Sequence, residues 1–113
     1  MRQPKYRNKR TEVNGVLFDS QAEARRYLVL RLQEEDGQIS QLRRQVSFEL
    51  VPPVRLLGSK RATPAIRYVA DFAYLTAEGR QVIEDVKGML TPVYRIKRHL
   101  MKHKYNIDIL ETK

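Results

Sequence analysis

The chain contains no cysteine. Disulfides, thiolate nucleophiles and thiolate-ligated zinc are therefore excluded together. No apolar run approaches the about 20 residues that a membrane-spanning helix requires, and the opening MRQPKYRNKR lacks the apolar segment of a secretory signal. A soluble, cytoplasmic protein with no membrane partner is expected. Glycine is sparse: Gly58, Gly79 and Gly88 stand alone, so there is no glycine-rich phosphate loop. A serine-nucleophile motif and an aromatic RNA-binding signature are also missing.

Negative charge is the scarcer sign, with 13 acidic against 22 basic residues and a formal net charge of +9. On one small domain that excess points to a polyanionic partner. Much of it is gathered in Arg2, Lys5, Arg7, Lys9 and Arg10 at the start, and in Arg95, Lys97, Arg98, Lys102 and Lys104 near the end. With Lys60 and Arg61, these clusters supply the candidate contacts to a nucleic-acid backbone: Lys5, Arg7, Lys9, Arg10, Lys60, Arg61, Arg95, Lys97, Arg98 and Lys102.

The hydrophobic content, 42% of 113 residues, suits one domain with one modest core. Residues 1–11 read as a flexible basic arm and 12–113 as the folded domain. Asn14-Gly15 between short apolar runs signals a two-residue hairpin. Ser20-Gln21-Ala22-Glu23 has the form of a capping box and opens a helix that Gly37 stops. A basic turn at Arg43 and Arg44 leads into a half-buried strand through Val46, Phe48 and Leu50, which Pro52-Pro53 ends. Residues 55–65 read as a charged surface loop. Thr91-Pro92 opens a second helix, running to about Tyr105 with Val93, Ile96, Leu100 and Met101 on its buried face, and Ile107 to Leu110 forms a last strand. The order hairpin, helix, strand, hairpin, helix, strand implies an α/β domain with a mixed β-sheet flanked by helices, the last strand joining by a parallel crossover. His99 and His103 lie one turn apart with no acidic helix residue beside them, which favours a solvated or phosphate-facing role over zinc.

The most informative stretch is YVADFAYLTAEGRQVIEDVKG, residues 68–88, a second hairpin with Asp71 on one strand and Asp85-Val86-Lys87 on the other. Strand alternation puts Asp85 and Lys87 on one face and Glu84 and Val86 on the opposite one. Charges among such apolar neighbours need a partner or a metal. Carboxylates gathered from Glu23, Asp71 and Asp85 repel, and a hard divalent cation relieves that repulsion. Asp71 and Asp85 are candidate ligands of magnesium or manganese, the Val86 carbonyl is a further oxygen, and Glu23 completes a second site or holds a water. Lys87 is placed to orient or deprotonate an attacking water, or to stabilise a charged phosphate. Such a set suits hydrolysis of a phosphodiester. The bland reading is that Glu23 only caps its helix, the other charges are surface neighbours, and the chain is a non-catalytic basic nucleic-acid-binding protein.

The ordered set Tyr68-x-x-Asp71-Phe72, Asp85-x-Lys87-Gly88 and Phe18-Asp19-Ser20-x-x-Glu23 resembles the PD-(D/E)XK nuclease superfamily, in particular small phage proteins and phage or archaeal Holliday-junction endonucleases. The resemblance runs over about residues 12–110 and implies a restriction-endonuclease-like core of helix, three-stranded meander, helix and strand. It further implies Glu23, Asp71 and Asp85 as metal-binding acids, Lys87 as the catalytic lysine, branched DNA as substrate, a homodimer, and a bacterial or phage-infected cytoplasm. Ala70 stands where the family pattern has proline.

Overall fold

The computed structural model describes residues 10–113. Lys5, Arg7 and Lys9 fall outside the described residues, and Arg10 is exposed. The strands β1 (Thr11–Val13) and β2 (Val16–Phe18) form the expected hairpin. Asn14 and Gly15 both take positive φ, 50° and 79°, as a primed turn requires. Helix α1 (Gln21–Glu35) follows, with the Ser20 side chain accepting from the Glu23 amide.

Four further strands make the main sheet, in spatial order β3 (Ile39–Val51), β4 (Ile66–Thr76), β5 (Gln81–Val86) and β6 (Leu110–Thr112). The first three run as an antiparallel meander. Helix α2 (Pro92–Tyr105) carries the chain across so that β6 lies parallel to β5. The mixed α/β domain expected from the sequence is thus the fold. Thr91 caps α2 by accepting from the Tyr94 amide, and Asn106 closes it in the left-handed conformation. Among the described residues, no helix is long and apolar enough to cross a membrane.

The two helices cover opposite faces. Ala24 and Leu30 of α1 join Phe18, Ile39, Phe72 and Tyr74 in one apolar cluster. Tyr94 and Met101 of α2 join Leu50, Tyr68, Ala70, Ala73 and Ile83 in the other. Simple alternation would keep Ala70 and Phe72 on one face, yet they belong to different clusters. The same inversion occurs on β3, where Val46 packs on the α2 side while Arg44 lies over Phe18 and Tyr27 on the α1 side. Between them Gln45, within the strand, has φ of 52°. The register is continuous there, Val46 pairing with Ala70 and Arg44 with Phe72. Gln45 and Asp71 therefore mark a seam at which both strands exchange their inner and outer faces.

Three expectations need correction. Arg43 and Arg44 belong to β3 itself, paired with Ala73 and Phe72; the irregularity lies just before them, at Gln41 with φ of 55° and a register shift. Val93 and Ile96 are each 61% exposed, because α2 buries Tyr94 and, two turns on, Met101. The last strand begins at Leu110: Ile107 and Ile109 pack against the core after the Asn106 turn, and pairing with β5 starts only with Leu110 opposite Glu84.

Candidate active site

Asp71 and Asp85 meet because Phe72 pairs with Glu84, which sets the two aspartates across from each other one step further along the antiparallel pair. The Asp71 Oδ2 accepts the Val86 amide at 2.8 Å. Asp85 is buried, its Oδ2 receiving the Tyr68 hydroxyl at 2.8 Å, with the Lys87 ammonium 3.5 Å away. Alternation along β5 holds as expected: Asp85 and Lys87 share the α2 face. Glu84 is fully buried on the other face, where Arg26 of α1 donates to both of its oxygens at 2.6 and 2.9 Å. Tyr74 and Thr112 donate to the same carboxylate. Glu84 is a structural clasp between α1, β4, β5 and β6.

Electrostatics single out the aspartate pair. Burial, then the hydrogen bond and charge of Asp85, push Asp71 up to about 8. Near neutral pH a proton on Asp71 therefore relieves the repulsion between the two carboxyl groups. Burial and the neighbouring Asp85 charge also push the Tyr68 phenol upward, so it stays a donor.

Glu23 takes a different position. Its Oε1 accepts from Gln45 Nε2 at 3.2 Å and lies 3.8 Å from Arg44 Nη2. Burial first, then the charge of Asp19, raises its pKa, with Asp85 adding to the effect. The capping contact is real, since the Glu23 amide donates to Ser20, but the carboxylate is engaged with the Gln45 seam. Glu23 thus acts on Asp71 and Asp85 through charge. Val86 reaches the pair through its amide, a contact additional to the carbonyl role expected of it.

Beside Asp85 and Lys87 opens a cleft of about 290 Å³, walled by Tyr68 and Tyr94 and rimmed by Arg67 and Lys97. Lys87 sits 4.4 Å above the Tyr94 ring, and the Tyr94 hydroxyl donates to Glu111 at 2.5 Å. Of the predicted backbone contacts on α2, Lys97 faces this cleft and Arg95 is exposed. Arg98 pairs with Glu111 at 3.0 Å, Lys102 with Asp108 at 2.8 Å and the cleft-lining Arg67 with Glu49 at 3.6 Å, so all three already have a partner. Lys60 and Arg61 are exposed on the β3–β4 connection, and His99 and His103 are exposed on α2.

Sequence patterning missed Gln45, Arg67 and Tyr94. Nothing in the sequence marks Gln45, since a left-handed glutamine inside a strand has no local signature. Arg67 was detectable as a cation four residues before Asp71, and Tyr94 as the aromatic that follows the helix cap.

A family model matches residues 3–111, nearly the whole chain; its description is a protein of unknown function, DUF1064. This chain belongs to the DUF1064 family. No curated protein and no solved structure matches it.

Among the described residues, no group of three or more histidine, aspartate or glutamate side chains is arranged to hold a metal ion. The Asp71 and Asp85 pair nevertheless suits magnesium or manganese. Both groups offer hard oxygen donors, these ions commonly take only one or two protein carboxylates, and a cation would supply the neutralisation now provided by the Asp71 proton.

Proposed function

We propose that this DUF1064 chain is a metal-dependent endodeoxyribonuclease that hydrolyses phosphodiester bonds, with branched DNA as a favoured substrate. The observation that carries the reading is the meeting of Asp71 and Asp85 beside Lys87, at the edge of a cleft rimmed by Arg67 and Lys97. Paired acids with a lysine on the same face suit water attack on a phosphodiester, and the cationic rim suits the phosphates on either side.

The residues have separable tasks. Asp71 and Asp85 would hold the cation, with Glu23 adding negative charge behind them. A divalent cation bound there supplies Lewis-acid stabilisation of the charge that develops on the phosphate. Lys87 is placed to orient the attacking water or the non-bridging oxygens, and the Tyr94 ring beneath supports its ammonium. Tyr68 fixes one oxygen of Asp85 and so the direction in which the other points. Arg67 and Lys97 position the DNA backbone without reading its sequence.

The test is cleavage of linear, nicked and four-way-junction DNA with magnesium or manganese, beside Asp85→Asn and Lys87→Ala. Both variants are expected to bind DNA like the wild type and to lose cutting by at least about a hundredfold, the scale of a lost catalytic group. Tight DNA binding by a wild-type chain that cuts none of these substrates with either metal would replace the enzyme with a non-catalytic binding protein.

A further inference from the structure

The connection between β3 and β4 ends in an unusual tip. Leu57 is fully exposed and Leu56 is 58% exposed. Single exposed leucines are ordinary, but two adjacent ones on a constrained turn leave apolar surface that folding itself does not use. The tip is tied at several points. Val54 bridges to Thr63 through both backbone groups, and the Thr63 hydroxyl donates to the Val54 carbonyl at 3.0 Å. The Ser59 amide donates to the Leu56 carbonyl at 3.0 Å across a turn in which Gly58 has φ of 78°. The Ser59 hydroxyl donates to the Arg61 carbonyl, and the Arg55 guanidinium donates to that of Lys60.

The finger itself carries charge of one sign. From Leu50 to Ile66 there is no acidic residue, while Arg55, Lys60 and Arg61 are basic; at its base Arg67 lies 3.6 Å from Glu49. Arg67, which lines the cleft beside Asp85 and Lys87, follows the finger directly in the chain. A partner must therefore offer dense negative charge around an accessible apolar interior. Nucleic acid does so where base stacking is broken or easily opened.

We propose that Leu56 and Leu57 form an apolar wedge that enters DNA at a branch or an opened base step, while Lys60 and Arg61 grip the flanking phosphates. This deepens the nuclease reading and rests on it. The wedge selects substrate by stacking: a continuous duplex resists entry, whereas a junction or nick admits it at little cost. Because the tip lies beyond Arg67, the opened step is offset from the bond that is cut.

The experiment uses the full chain carrying Asp85→Asn, so that DNA stays intact, and four-way-junction, nicked and continuous duplexes with 2-aminopurine placed at successive positions. Binding is expected to raise fluorescence several-fold at the branch or nick, offset from the cut, and little in the continuous duplex. Adding Leu56→Ser and Leu57→Ser should abolish the rise while leaving the salt dependence of binding intact. Adding Lys60→Ala and Arg61→Ala should weaken binding and reduce the magnitude of the logarithmic salt slope by about two, one per phosphate contact. An unchanged fluorescence rise in the double serine chain overturns the wedge, as does DNA binding with no rise at any position. Leucine-dependent binding to anionic phospholipid vesicles, without any to DNA, assigns the tip to a membrane surface and also overturns it. A wild-type chain that cuts branched DNA while the tip is silent loses only the wedge; one that neither binds nor cuts DNA loses the nuclease reading as well.

Discussion

The hydroxyl of Tyr68 donates a 2.8 Å hydrogen bond to Asp85, tying the first part of β4 to the end of β5 at the cleft. The bond depends on the seam at Gln45 and Asp71: without the exchange of faces, Tyr68 and Asp85 would lie on opposite sides of the sheet. Tyr68→Phe keeps the ring among Phe48 and Tyr94 and removes only the donor. It should cost about 1–3 kcal/mol of stability, slow cleavage about tenfold on the scale of one such bond, and leave DNA affinity unchanged. A variant that cuts at the wild-type rate would make Tyr68 a packing residue only.

Asp71 makes the metal-free protein pH-dependent. Its folded pKa, about 8, lies above its ordinary 3.8, so the native state keeps a proton that the unfolded chain gives up. The resulting stability is fully present below about pH 4 and is lost as pH rises through about 8. The melting temperature of metal-free protein should fall across this window, and Asp71→Asn should flatten the fall. A divalent cation held by Asp71 and Asp85 would compete with this proton, so the stabilising effect of added magnesium should be larger at about pH 9 than at about pH 6. Equal magnesium shifts at both pH values would separate the ion from Asp71.

Gln45 combines a left-handed backbone with a side chain that holds Glu23. Gln45→Gly relieves backbone strain worth roughly 1 kcal/mol but releases the glutamate. Gln45→Ala releases it without that relief. Glycine should therefore melt higher than alanine, while both cut DNA more slowly than the wild type. If both retain full activity, Glu23 needs no positioning from this seam.

The Arg26–Glu84 pair predicts loss of stability with little loss of chemistry. Arg26→Ala leaves a fully buried carboxylate with Tyr74 and Thr112 alone, at a cost of about 3–5 kcal/mol in denaturant unfolding. Arg26→Lys should recover only part, because an ammonium does not reproduce the two-pronged contact. Glu84→Gln, where it folds, should cut at close to the wild-type rate. Loss of cutting without loss of stability in that variant would move the catalytic role from Asp85 to its neighbour.

Much of the frame was readable from local chemistry. Asn14-Gly15 declares its turn because both positions need positive φ, and Ser20 and Thr91 declare helix starts through side-chain oxygens that accept backbone amides. Alternation correctly separated Glu84 from Asp85 and Lys87. The rotation of α2 was not readable. Val93 and Ile96 satisfy helical spacing as well as Tyr94 and Met101 do, and the choice is made by the contacts of Tyr94 with Lys87, just past β5, and with Glu111 of β6. The surroundings of Glu23 were hidden for a similar reason: its Gln45 partner is presented by a backbone conformation that no residue pattern announces.

The exchange of faces at Gln45 and Asp71 also bears on how the domain changes over time. Because the exchange sends Tyr68 and Ala70 to one apolar cluster and Phe72 and Tyr74 to the other, each helix packs against its own set of side chains. A lineage can then exchange residues beneath α2, where the cleft is walled, without repacking the bed of α1. The bed of α2 is free to drift while the half that carries Glu23 keeps its shape.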